Sequence, residues 1–145
     1  MNVLFVCTGN TCRSPMAAAL FNKIAVEKDL PVRIESAGLY ASKGSPASAG
    51  AVGAMKKYGI DLSEHRAKSV TPELLEKCDL ILTMTAGHKE ALLPYAPDKV
   101  YTLCEYAGIS GEIKDPFGGG LSVYEECAEE IFKALEKVAE KIGNN

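Results

Sequence analysis

Short apolar runs alternate with helix-patterned segments along this chain, and that alternation limits its fold more than any other feature. Val3-Leu4-Phe5-Val6 is a continuous apolar run of the kind found in a strand buried on both faces. Ser14-Pro15 then supplies an N-cap and a proline at the first helical position. Met16, Leu20 and Ile24 recur at helical spacing, with Ala17, Ala18 and Ala19 as strong helix formers, so a first strand leads through a loop into a helix ending near Asp29. Residues 31–36 predict a second strand, stopped by Ser36-Ala37-Gly38, and residues 41–46 a small-residue loop. A helix is expected over 48–57, closed by Gly59, and irregular polar chain over 61–68. Thr71-Pro72-Glu73 opens a short helix with its own cap signal. Residues 79–84, around Leu80-Ile81-Leu82, predict a third strand, 86–93 a helix, and 100–103 a weaker fourth strand. A long glycine-containing loop is expected over 105–120. The final helix, over 123–142, carries Val123, Cys127, Ile131, Leu135 and Val138 on one core-facing stripe.

Strands alternating with helices predict an α/β fold: one domain over residues 1–145, a doubly wound four-stranded parallel sheet flanked by helices. A chain of 145 residues is long enough to bury a core without staples. Ligands of such sheets bind beyond the C-terminal strand ends, where the loop after Val6 falls. Sixteen basic against nineteen acidic residues, a net charge of −3, give no support for nucleic acid as a partner. No apolar run approaches the ~18 residues of a membrane span, and the N-terminus has no signal-peptide pattern. A cytoplasmic protein without membrane partners is expected. The five cysteines (Cys7, Cys12, Cys78, Cys104 and Cys127) are odd in number and scattered, unlike a disulfide framework. With no CxxC pair and only His65 and His88 to assist, no metal site is expected.

The loop CTGNTCRS, residues 7–14, lacks the Gly-Lys-Ser/Thr ending of a Walker A loop and, with Gly9 alone, the GxGxxG pattern. It offers Cys7, five intervening residues, Arg13, and then Ser14-Pro15 at a helix start. Each part suits attack on phosphorus. The backbone N–H groups of Thr8, Gly9, Asn10, Thr11, Cys12 and Arg13 can curl around a tetrahedral dianion, assisted by the positive end of the first helix. Arg13 can hold two phosphoryl oxygens with its planar fork. The same positive field stabilises the Cys7 thiolate, to which Ser14 is close enough in sequence to donate a hydrogen bond. The leaving group needs a proton, and Asp115, in the loop after the last strand, can supply it. Pro116 holds the Asp115 backbone extended.

With these residues in place the chain resembles the low-molecular-weight protein tyrosine phosphatases. The resemblance covers essentially the whole sequence: CTGNTCRSP at the start, Ser36-Ala37-Gly38, Asp-Leu-Ser-Glu-His-Arg at 61–66, and Asp115-Pro116-Phe117. It implies that family's four-stranded parallel fold, no metal or other cofactor, and a cysteinyl-phosphate intermediate. Cys7 would attack, Arg13 would bind the phosphoryl group, and Asp115 would protonate the leaving group and then serve as base for the water. Asn10, Ser36 and His65 match positions that support the loop through hydrogen bonds, with Asn10 in a left-handed conformation that Asn tolerates well.

Two departures bear on substrate. Thr11 stands where tyrosine-directed members usually carry a bulky aliphatic residue, and Asp115-Pro116-Phe117 runs into Gly118-Gly119-Gly120 without the usual second aromatic. Both resemble the bacterial protein-arginine phosphatase branch, with Thr11 leaving room for a planar guanidino group and Phe117 as the remaining aromatic wall. Thr85 replaces an Asp that tyrosine-directed members often use to hold the arginine. The implied partners are phosphorylated proteins carrying phosphoarginine, with inorganic phosphate as product. The alternatives are a phosphotyrosine phosphatase with the same machinery, an arsenate reductase, and a non-catalytic phosphate-binding module. Thr85 at the position seven after Cys78 breaks the cysteine relay a reductase needs. An intact Cys7, Arg13 and Asp115 argue against a mere binder. Cys12, five positions after Cys7, is a candidate partner for a reversible regulatory disulfide. Cys78, Cys104 and Cys127 are expected to be bystanders, and Tyr40 to border the pocket mouth.

Overall fold

The computed structural model describes residues 1–144. In chain order the elements are β1 (Asn2–Cys7), α1 (Arg13–Glu27), β2 (Arg33–Gly38), α2 (Ala49–Lys56), α3 (Pro72–Lys77), β3 (Leu80–Thr83), α4 (Ala86–Leu92), β4 (Val100–Thr102), α5 (Leu103–Ala107) and α6 (Leu121–Gly143). The four strands form one sheet in the order β2-β1-β3-β4, every neighbouring pair parallel. The most apolar strand is thus an inner one, as a strand that buries both faces must be.

Successive side chains of β1 feed two separate cores, because strand residues alternate faces. Val3, Phe5 and Cys7 pack with Met16, Leu20 and Phe21 of α1 and Ile131 and Leu135 of α6. Leu4 and Val6 pack on the opposite face with Leu74 and Leu75 of α3, Ile81 of β3 and Leu92 of α4. Helices on both faces leave the C-terminal strand ends as the open rim, and the loop over residues 8–12 emerges there from β1.

The elements differ from the sequence expectations in four places. β2 covers residues 33–38 rather than 31–36. Asp29 at φ 53 and a Leu30 N–H bond to the Ala25 carbonyl (2.9 Å) use residues 28–32 for turning, so pairing begins at Arg33 opposite Asn2. Ser36-Ala37-Gly38, expected to stop the strand, are instead paired with Phe5, Val6 and Cys7. α5 lies partly within the expected loop: Thr102 and Glu105 form a reciprocal capping box, and Gly108 at φ 76 ends the turn. Ser14 does not cap α1. The N-cap position is Cys12, which makes no side-chain cap bond, and the Ser14 hydroxyl is committed elsewhere. α6 begins at Leu121, and Val123 is exposed. The buried stripe there runs through Tyr124, Cys127, Ala128, Ile131, Ala134, Leu135 and Val138. Among the described residues no helix is long and apolar enough to cross a membrane.

Candidate active site

The loop between β1 and α1 is built around Asn10, which is fully buried and sits at φ 58. Both N–H donors and the oxygen of its side-chain amide are engaged. Nδ2 donates to Ser14 Oγ (2.8 Å) and to Ser36 Oγ (2.9 Å), and Oδ1 accepts from the Lys68 N–H (3.0 Å). Its backbone carbonyl accepts from His65 Nε2 at 2.7 Å. The three predicted support residues therefore meet at one point, and a left-handed Asn is held by bonds that reward that conformation.

Gly38 at the end of β2 lets the loop lie against the sheet. A Cβ there would stand 2.7 Å from the Thr8 carbonyl oxygen and 2.9 Å from the Asn10 nitrogen. That close approach is the physical reason for a small residue at this point.

Cys7 ends β1 and is 3% exposed. Its Sγ lies 2.9 Å from Ser14 Oγ. Because Asn10 donates into that hydroxyl, the Ser14 proton is free to point at the sulfur; its other acceptor, the Ala37 carbonyl, is at 3.4 Å. Arg13 opens α1 and is equally buried. Its Nη1 donates to the Ile113 carbonyl at 2.9 Å, and Nη2 stands 3.8 Å from Asp115 Oδ2. The Asp115 side chain is 53% exposed, and its Oδ1 accepts from the Phe117 N–H (3.1 Å), a turn that faces the carboxylate toward the loop.

A cleft of about 190 Å³ gathers Cys7, Arg13 and Asp115, with Thr8, Gly9, Thr11 and Cys12 as its wall and Phe117 at its rim. Asn10, Ser36 and His65 stand behind it. Tyr40 does not border this cleft. Its backbone N–H bonds the Thr8 carbonyl (2.9 Å), but its ring lines a separate groove with Val70 and Tyr95. Thr85 caps α4, accepting from the His88 N–H at 3.2 Å, and does not hold the arginine; the Ile113 carbonyl does.

Several contributors carried no sequence signal. The Ile113 carbonyl is an anonymous backbone group. Tyr124 of α6 and Ser48 reach Cys12, with Tyr124 OH 3.4 Å and Ser48 Oγ 3.2 Å from Cys12 Sγ. Burial, followed by the bond to Cys12, raises the Tyr124 phenol above its ordinary range. His88 reaches Thr8, its Nε2 2.9 Å from Thr8 Oγ1. The remaining cysteines are buried, and burial raises the Cys78 and Cys104 thiols and pushes Cys127 up to about 12, which disfavours their thiolates.

A family model described as low molecular weight phosphotyrosine protein phosphatase matches residues 2–145. The chain belongs to that family. A Bacillus subtilis (strain 168) relative of this phosphatase, named protein-arginine-phosphatase, is 42% identical over 98% of this chain and 97% of its own. Among solved structures, a YwlE arginine phosphatase mutant with a phosphorylated active-site serine superposes with a TM-score of 0.96 at 41% identity, covering 100% of this chain and 97% of that one. A low molecular weight protein tyrosine phosphatase from T. tengcongensis superposes with a TM-score of 0.93 at 46% identity, covering 97% and 99%. Those similarities extend to the whole doubly wound fold rather than to the loop alone.

Proposed function

We propose that this phosphatase hydrolyses phosphoarginine on proteins, with residues 1–145 acting as one domain. Cys7 Sγ attacks phosphorus and the P–N bond breaks. The departing guanidino nitrogen takes its proton from the Asp115 carboxyl group, while Arg13 and the N–H groups of the loop hold the phosphoryl oxygens. Water then attacks the cysteinyl phosphate, Asp115 receives its proton, and the thiolate leaves toward the Ser14 hydroxyl 2.9 Å away. Inorganic phosphate is released, and no metal takes part.

The observation that carries the substrate assignment is Thr11 on the wall of the same small cleft as Asp115. A short polar wall leaves width for a planar guanidino group, and a half-exposed carboxylate can pair with its remaining N–H donors. The Bacillus subtilis relative, named for that activity, supports the reading. Phe117 at the rim favours phosphotyrosine as the second reading, since an aryl ring can stack there. The test is kcat/KM on matched phosphoarginine and phosphotyrosine peptides. The wild type is expected to prefer phosphoarginine, and Thr11→Ile to shift the ratio toward phosphotyrosine by about tenfold or more. A wild-type preference for phosphotyrosine would overturn the assignment and leave the mechanism in place.

The site works in a reducing compartment, the cytoplasm, and all five cysteines are free. Oxidation of Cys7 by peroxide to the sulfenic acid, followed by attack of the Cys12 thiolate with loss of hydroxide, would join the two as a disulfide. Thiol-reversible peroxide inactivation is expected in the wild type. In Cys12→Ser it should become irreversible. An unchanged response in that variant would sink the pairing.

A further inference from the structure

The loop is held from both flanks of β1, and only one flank belongs to the predicted support network. Ser36, His65 and the Lys68 N–H reach Asn10 from the β2 side. From the β3 side His88 is hydrogen-bonded to Thr8 at the loop's start, while Ser48 and Tyr124 reach its other end at Cys12. We infer that His88 is a positioning residue for this phosphatase: its Nε2, 2.9 Å from Thr8 Oγ1, fixes the first residue of the phosphate-holding loop.

His88 is well placed to act as a fixed post. Thr83 Oγ1 donates to the Thr85 carbonyl (2.9 Å), Thr85 Oγ1 accepts from the His88 N–H (3.2 Å), and the Glu112 carboxylate accepts from the Ala86 N–H. The first turn of α4 is thereby tied to β3 and to the segment that leads to Asp115. The residue is 7% exposed, and its Nδ1 has no hydrogen-bond partner among the described residues. A buried ring left with one unsatisfied nitrogen is a poor choice for packing alone, where an apolar side chain would serve better. Its other nitrogen is spent on Thr8, an exposed residue on the cleft wall.

The consequence falls on the phosphate-facing N–H groups. The Thr8 carbonyl accepts from the Tyr40 N–H at 2.9 Å, so the plane of the peptide between Thr8 and Gly9 is pinned at one end. In a trans peptide the following N–H points away from that carbonyl. With the Thr8 side chain also tethered, rotation about its Cα is blocked and the Gly9 N–H keeps its aim. The charges facing the ring are Arg13 from α1 and Glu112 and Asp115 from the segment after α5. Burial, and then Arg13, lower its pKa. The neutral ring adds no second cation to compete with Arg13 for Asp115.

The inference rests on the loop's phosphatase chemistry and not on which phosphorylated residue is the substrate. The test therefore uses p-nitrophenyl phosphate for rates and orthovanadate as a mimic of the pentacoordinate state. Thr8→Val and His88→Phe are each expected to lower kcat/KM about tenfold and to weaken vanadate in parallel, and the double variant should be no worse than either single one. Thr8→Ser and His88→Gln, which restore a hydrogen-bonding atom near the same place, should recover most of the loss. Additive losses, an unaffected Thr8→Val, or a His88→Gln as impaired as His88→Phe would overturn the inference. If His88→Phe does not fold, the Thr8 pair decides, because that side chain is exposed. A wild type that prefers phosphotyrosine would leave this inference intact; one inactive on every phosphate ester and phosphoarginine would overturn both.

Discussion

Cys7→Ser should lose turnover by about 10⁴-fold or more, and Asp115→Asn by about 10²–10⁴-fold on phosphoarginine, with both proteins still folded. The two losses have different origins and can be told apart. Without the thiolate no cysteinyl phosphate forms, so Cys7→Ser should show no burst of released leaving group with any substrate. Asp115→Asn keeps the nucleophile and loses the proton donor, so its defect should scale with the basicity of the leaving group. p-Nitrophenolate needs little protonation and should be released far less impaired than a guanidino group. The ion pair that Asp115 makes with Arg13 is long, at 3.8 Å, and half exposed. Its removal should therefore barely move Tm. Rapid-quench kinetics on both substrates, beside thermal melts, check each of these expectations. An Asp115→Asn enzyme equally impaired on both leaving groups would remove Asp115 from the acid role.

Gly38→Ala is the second large effect, and it comes from outside the reacting groups. The added methyl would lie 2.7 Å from the Thr8 carbonyl oxygen and 2.9 Å from both the Gly9 carbonyl carbon and the Asn10 nitrogen. All three neighbours are backbone, so none can swing aside as a side chain would. Either β2 separates from β1, where Gly38 is paired with Cys7, or the loop moves by some tenths of an ångström. Overpacking of this kind destabilises by about 1–3 kcal/mol. The loop is the less constrained of the two, so activity should fall by about 10²-fold, a loss typical of small misplacements of catalytic groups. Phosphate or vanadate binding should weaken with it. A fully active Gly38→Ala would mean that the loop tolerates displacement, and would undercut the rigid-cradle picture on which the His88 inference also depends.

The residues of the nucleophilic loop were legible because they are local. Cys7 to Ser14 are consecutive, β1 ends at Cys7, and α1 begins at Arg13, so the spacing alone constrains what that segment can enclose. Most helices and strands were also legible, because their apolar periods and caps are local signals. The misassignments fell where two local signals competed. The Thr102-Glu105 capping box was hidden behind an apolar run that also supplies β4. Ser14-Pro15 carries every mark of a helix cap, yet Ser14 is turned inward because Asn10 and Cys7 both lie within reach of its hydroxyl.

The sequence by itself determined the parallel α/β class and pointed to Cys7, Arg13 and Asp115 as the reacting groups, and the family resemblance added Asn10 as the loop's support. Only the tertiary structure decided what surrounds them. Arg13 is anchored by a carbonyl 100 residues away, Cys12 by a tyrosine 112 residues away, and Thr8 by a histidine 80 residues away. Contacts at such separations leave no period or spacing in the chain. They exist because helices and strands far apart in sequence pack against one another at the strand ends, and the groups they bring to that rim meet only once the sheet has formed.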